Sequence, residues 1–134
     1  MLLNKNYFSF KNPQIMGICN ITMDSFSDGG KSFRTQDAIK NINLMNKQGA
    51  TIIDIGAEST RPGSEPISYQ QEIKKLAPIL KKIPKDKFTI SIDTNKIETQ
   101  EFALQQGVHI INDVFGGSED LFYLSKKYKN GLIL

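Results

Sequence analysis

Short apolar runs alternate along the chain with stretches whose apolar residues recur every three to four positions. The runs at 15–21 (IMGICNI), 51–56 (TIIDIG), 88–93 (FTISID) and 108–112 (VHIIN) are rich in isoleucine, and their shortness predicts buried strands rather than helices. Between the first two, Ala38, Ile39, Ile42 and Met45 fall on one helical face, with Gly49 suited to the stop. Ser68 and Gln71 have capping-box spacing ahead of Ile73, Leu76, Ala77 and Leu80. Pro78 lacks the N–H that a helix interior needs, so it predicts a kink or a shortened helix there. The pattern from Asn95 to Gln106 predicts a helix stopped at Gly107, and that from Glu119 to Lys127 a shorter one. Leu132 to Leu134 reads as the start of a fifth strand.

Strand and helix in strict alternation mean a parallel sheet with right-handed crossovers. Two architectures satisfy that pattern: an open doubly wound sheet and a (β/α)8 barrel. A barrel takes about 250 residues. With four βα units and one further strand in 134 residues, the chain would be the first half of one. Leu132-Ile133-Leu134 has no cap, turn or polar tail, so residues 1–134 read as the N-terminal part of a single domain, truncated at its C-terminus. Composition narrows the class further. Hydrophobic residues make up 39% and charged residues 23%, a globular balance. The net charge of +3 comes from scattered Lys and Arg, too mild a field to imply nucleic acid. No apolar run approaches the roughly 18 residues of a membrane span, and Met1 to Lys11 has no signal-peptide core. The single cysteine, Cys19, excludes an internal disulfide framework and makes the cytoplasm the default compartment.

Parallel α/β folds bind ligands at the carboxyl ends of their strands. The first strand ends at Asn20, ahead of the loop Thr22–Gly30. The second ends at Asp54, ahead of Glu58 to Ser64; the third at Asp93-Thr94; the fourth at Asn112-Asp113. An Asn or Asp from every strand at one rim suggests a shared polar site. A carboxylate at Asp93 could accept two donors from an amino-substituted ring. Asn112 could donate and accept at one ring edge. Arg61 could clamp a phosphate, and Asn20 could lend a neutral oxygen to Mg²⁺. Each has a plainer reading: Asp93 as a helix cap, Asn112 as a turn residue, Arg61 as a solvated loop charge, Asn20 as a partner for loose backbone groups. Cys19 and His109 suggest neither a nucleophile pair nor a metal cluster, and the parity of His109 relative to Asn112 turns it toward the helices. Gly29-Gly30 and Gly116-Gly117 lack phosphate-loop spacing.

The stretch Met16 to Gly30 (MGICNITMDSFSDGG) closely resembles the first signature of the dihydropteroate synthases. Ile53 to Gly63 (IDIGAESTRPG) is similar to the second, and Ser91 to Thr94 and Ile110 to Val114 to the third and fourth, in the family's order and spacing. The resemblance runs from about Met16 to Leu134. It implies a (β/α)8 barrel that joins 6-hydroxymethyl-7,8-dihydropterin pyrophosphate to 4-aminobenzoate for folate synthesis, an enzyme that is the target of sulfonamides. By resemblance, Asp93 and Asn112 anchor the pterin, Thr60 lies beside them and Val114 packs on the ring. Asn20 serves the Mg²⁺–pyrophosphate site and Arg61 the pyrophosphate, which makes Arg61 and Asp93 the catalytic pair. Met23 stands where the family usually has proline. The family's second half, with a further pterin-binding Asp, a Lys, an Arg and a His, is not in the chain. Nor are the late helices through which the parent enzyme would form a homodimer, so this chain alone is expected to be inactive. Two other readings of the same residues are a methyltransferase-type pterin module and a non-catalytic fragment. The Ser25–Gly30 loop, which in the family serves aminobenzoate chemistry, speaks against the first of these.

Overall fold

The structure, a computed structural model, describes residues 2–3, 6–7, 11–21, 31–58, 63 and 65–134. It opens with a hairpin that the hydrophobic pattern does not predict: β1 (Leu2–Leu3) pairs antiparallel with β2 (Asn6–Tyr7). The remainder alternates as the apolar runs require. The elements are β3 (Met16–Asn20), α1 (Lys31–Lys47), β4 (Ile52–Gly56), α2 (Tyr69–Leu80), β5 (Thr89–Asp93), α3 (Ile97–Gln105), β6 (Ile110–Asn112), α4 (Glu119–Tyr128) and β7 (Gly131–Ile133).

The five strands β3 to β7 form one parallel sheet in chain order. Doubly wound sheets reverse direction at a switch point. Here the order never reverses, and each helix packs against the next, α1 on α2, α2 on α3 and α3 on α4. This is the arc of a (β/α)8 barrel, with its helices on the outer face.

Strand alternation divides the residues between two environments. Cys19, Ile53, Ile55, Ile90, Ile92 and Ile111 meet Ile42 of α1, Leu76, Ile79 and Leu80 of α2, Ala103 and Leu104 of α3, and Leu121 and Leu124 of α4 in one continuous core. His109 is buried among these, as its parity predicts, and its Nδ1 accepts the Ile90 N–H at 3.1 Å. The opposite, inner face carries a small apolar floor of Met16, Ile52 and Ile110, with polar residues above it. At the edge of this face Ile18 is 65% exposed.

Local signals set the helix ends. Ser68 and Gln71 form the capping box, with Gln71 N–H donating to Ser68 Oγ at 3.3 Å and Ser68 N–H to Gln71 Oε1 at 2.8 Å. Pro78 lies in the last turn of α2, which stops at Leu80. Gly49, at φ +106°, leads the chain out of α1. Ser118, which the pattern did not single out, caps α4 by accepting from Leu121 N–H at 3.1 Å.

Candidate functional site

The register aligns the carboxyl ends of neighbouring strands. Asn20 is opposite Gly56, Gly56 opposite Asp93, and Asp93 opposite Asn112. Strands lie about 4.8 Å apart, so three candidate side chains, Asn20, Asp93 and Asn112, share one row on the inner rim. Gly56 is the gap in that row. A Cβ there would stand 3.2 Å from Asn20 Oδ1 and 3.6 Å from Asp93 Oδ2, so the missing side chain lets these two groups converge.

Asp54 does not stand at the rim as the sequence pattern suggests. β4 continues to Gly56, and Asp54, in register with Ile18 and Ser91, occupies the inner layer below. It is 4% exposed, and its Oδ2 accepts from Asn112 Nδ2 at 3.1 Å. The plainer readings of Asp93 and Asn112 fail on geometry. The N-cap of α3 is Lys96, which makes no side-chain cap bond; its N–H donates to Thr94 Oγ1 at 3.2 Å, so Asp93 caps nothing. Asn112 spends its amide on a residue of another strand rather than on a turn. Val114 lies two residues beyond β6 and is 61% exposed. Asn20 is exposed at the strand end. Thr60, Arg61, Met23 and the rest of the Thr22–Gly30 loop lie outside the described residues.

Charge distinguishes Asp93 within the row. Burial pushes its carboxyl above the ordinary carboxylate range, and the negative charges of Asp54, Glu72, Asp113 and Glu58 push it further the same way. Asp93 accepts from no described residue, although it sits between two strands, so its oxygens are free for a ligand that brings donors. A ring with amino and N–H groups at one edge meets that requirement.

Behind the rim lies a polar network that the sequence reading did not find. Glu72, buried in α2, accepts from Thr94 Oγ1 at 2.9 Å and Thr99 Oγ1 at 2.7 Å. Lys96 pairs with Glu72 at 3.5 Å and with Glu58, the residue that opens the loop after β4. Burial alone would lower the Lys96 ammonium, but its hydrogen bond with Glu58 and the two carboxylate charges outweigh that and raise it. Gln100 Nε2 donates to the Thr94 carbonyl at 2.9 Å and to Asp113 Oδ2 at 3.0 Å. The signal was present in the sequence: Glu72 shares the spacing of Leu76, Ile79 and Leu80 and therefore faces inward. Cys19 takes no part; burial pushes its thiol up to about 11. Among the described residues no group of three His, Cys, Asp or Glu side chains could hold a metal ion, and no helix is long and apolar enough to cross a membrane.

The chain is similar to known proteins. It is 45% identical over 126 residues to the dihydropteroate synthase of Streptococcus pyogenes serotype M1, covering 92% of this chain and 47% of that protein. Its fold matches the Clostridium difficile dihydropteroate synthase crystallised in the presence of pteroic acid, with a TM-score of 0.84 and 41% identity over 91% of this chain and 48% of that one. It also matches the Anaplasma phagocytophilum dihydropteroate synthase with bound 6-hydroxymethylpterin-monophosphate, at a TM-score of 0.81 and 37% identity over 90% of this chain and 48% of that one. The chain thus spans about half the length of these relatives. The sequence pattern of the pterin binding enzymes matches residues 16–134, which include the whole rim and the network behind it, and the chain belongs to that family.

Proposed function

We propose that residues 1–134 supply the first half of the active site of a dihydropteroate synthase, which joins 6-hydroxymethyl-7,8-dihydropterin pyrophosphate to 4-aminobenzoate and releases pyrophosphate. The observation that carries this reading is the row Asn20, Gly56, Asp93, Asn112, in register at the carboxyl ends of four adjacent strands. Its support is the presence of pterin compounds in relatives that share the fold.

Asp93 accepts donors from the pterin edge, and the acidity around it suits a ring that brings N–H groups. Asn112 presents its side-chain oxygen to the same ring, Thr60 lies beside them, and Val114 covers one ring face. Arg61 stabilises the departing pyrophosphate, as a guanidinium does for developing anionic charge. Asn20 offers one neutral amide oxygen, kept clear by Gly56. A single neutral oxygen fits a Mg²⁺ that keeps most of its waters and takes phosphate oxygens as ligands. When bound, Mg²⁺ would neutralise charge on the leaving group. The amine nitrogen of 4-aminobenzoate forms the new C–N bond as the C–O bond to pyrophosphate breaks, and the amine gives up one proton to solvent. No protein nucleophile is needed. The enzyme is read as cytoplasmic and its whole form as a homodimer.

The test is an assay of the complete protein carrying this chain, with both substrates and Mg²⁺. Formation of dihydropteroate that stops when Mg²⁺ is chelated supports the reading. A folded protein that binds pterin but transfers no aminobenzoate would make it a pterin module of another kind.

A further inference from the structure

The hydrogen bond between Asn112 and Asp54 decides which end of an amide the site presents. Asparagine carries a carbonyl oxygen that accepts and an NH₂ that donates, and the two ends have nearly the same shape. Asp54 is 4% exposed and belongs to the layer below the rim. Its Oδ2 takes Asn112 Nδ2 at 3.1 Å, while its Oδ1 has no partner among the described residues. Ser91, in register beside it and 0% exposed, likewise leaves its Oγ unpartnered. Among the described residues the buried carboxylate therefore has one donor, the Asn112 amide. Turning that amide over would remove the donor and set two acceptors face to face, the costliest arrangement for a buried polar group.

We propose that Asp54 is a positioning residue that locks the Asn112 side chain with its NH₂ toward the sheet floor and its Oδ1 toward the ligand. The rim then shows a pterin two acceptors on adjacent strands, Asp93 and Asn112 Oδ1, and selects a ring edge that offers two donors. A ring presenting a carbonyl at that edge would meet an acceptor where an unlocked asparagine could have turned to donate. The inference rests on the pterin-binding reading above.

The experiment measures binding of 6-hydroxymethylpterin monophosphate to the complete protein by calorimetry, together with the ¹⁵N-resolved side-chain amide signal of Asn112. The variants are Asp54→Leu, Asp54→Asn and Asn112→Ala, with Asp54→Leu also made in the Asn112→Ala background. In the unmutated protein the Asn112 amide protons should exchange slowly with water. Asp54→Leu should abolish that protection and weaken binding at least tenfold, but only threefold or less once Asn112 is already Ala. Asp54→Asn, whose own carbonyl can still accept from Asn112, should stay within about fivefold of the unmutated protein. An undiminished effect of Asp54→Leu in the Asn112→Ala background would overturn the proposal, because Asp54 would then act directly. If Asp54→Leu does not fold, Asp54→Asn decides: a folded protein more than twentyfold weaker overturns the proposal as well. No binding by the unmutated protein would instead refute the pterin-binding reading itself.

Discussion

Glu72 of α2 takes the hydroxyl of Thr94 at 2.9 Å and so fixes the residue that directly follows Asp93. The same carboxylate holds Thr99 of α3 and pairs with Lys96, which also holds Glu58 at the mouth of the loop after β4. The carboxyl end of β5 is thereby tied to two helices and to the start of the loop that carries Arg61. Among the described residues Lys96 is the cation that pairs with Glu72.

Lys96→Met, which keeps the stem and removes the charge, should therefore destabilise the protein. Removing one partner of a buried pair strands the other charge; with two hydroxyls still bonded to Glu72, the expected loss is about 1–3 kcal/mol. Urea unfolding at pH 7 measures it, with the shift in midpoint at unchanged slope as the readout. A change within about 0.5 kcal/mol, the range of ordinary surface substitutions, would mean that the pair is solvated in solution.

Asp93 should trade stability for binding. Its carboxyl is raised in the folded protein by burial first and then by Asp54, Glu72, Asp113 and Glu58. A group raised in this way contributes stability that is fully present below its ordinary value of 3.8 and is lost as pH rises through the folded value. At neutral pH the ionised Asp93 is thus a net cost to the ligand-free protein. Asp93→Asn should raise the melting temperature at pH 7, and the gain should shrink toward zero as pH falls to about 4. The same substitution removes a charged acceptor, so pterin affinity should fall by about ten- to a hundredfold. Differential scanning fluorimetry and calorimetry test the two halves separately. A lowered melting temperature at pH 7 contradicts the first, and affinity within threefold of the unmutated protein contradicts the second.

Gly56→Ala should leave the fold intact and disturb the rim. The atoms nearest its Cβ would belong to side chains, Asn20 Oδ1 at 3.2 Å and Asp93 beyond it, so Asn20 must yield by a few tenths of an ångström. The melting temperature should change little, while the Mg²⁺ concentration for half-maximal activity should rise severalfold. An unchanged Mg²⁺ requirement would separate Asn20 from the metal.

Residues 1–134 expressed alone should self-associate. Ile15 and Ile18 stand 59% and 65% exposed on and beside β3, and β3 and β7 each pair on one side only among the described residues. An unpaired strand edge beside exposed isoleucines is a template for another chain. At about 25 cal/mol per Å², a few hundred Å² of uncovered apolar face forfeits several kcal/mol, comparable with a domain's net stability. Sedimentation should show concentration-dependent species. A monomer that survives dilution and has sharp near-UV dichroism would contradict this expectation.

The sequence by itself determined the alternating strands and helices from β3 onward and the outward-facing core, though not the β1–β2 hairpin. Ile53, Ile55, Ile90, Ile92 and Ile111 sit in apolar runs whose alternation with helical periods admits only a parallel sheet, and the Ser68–Gln71 box announced α2 with its true start. It also placed Asn20, Asp93 and Asn112 at strand ends, where the apolar run stops, but it ended the second strand at Asp54, two residues before the structure does. What needed the tertiary structure was everything set by register between strands distant in sequence. Only pairing decides that Gly56 rather than Asp54 is opposite Asp93, that Asp54 lies one layer down and grips Asn112, and that the strand order never reverses. The Glu72 network belongs to the same class. A carboxylate can be buried only where Thr94, Thr99 and Lys96 arrive from other elements to satisfy it, and no local pattern records those arrivals.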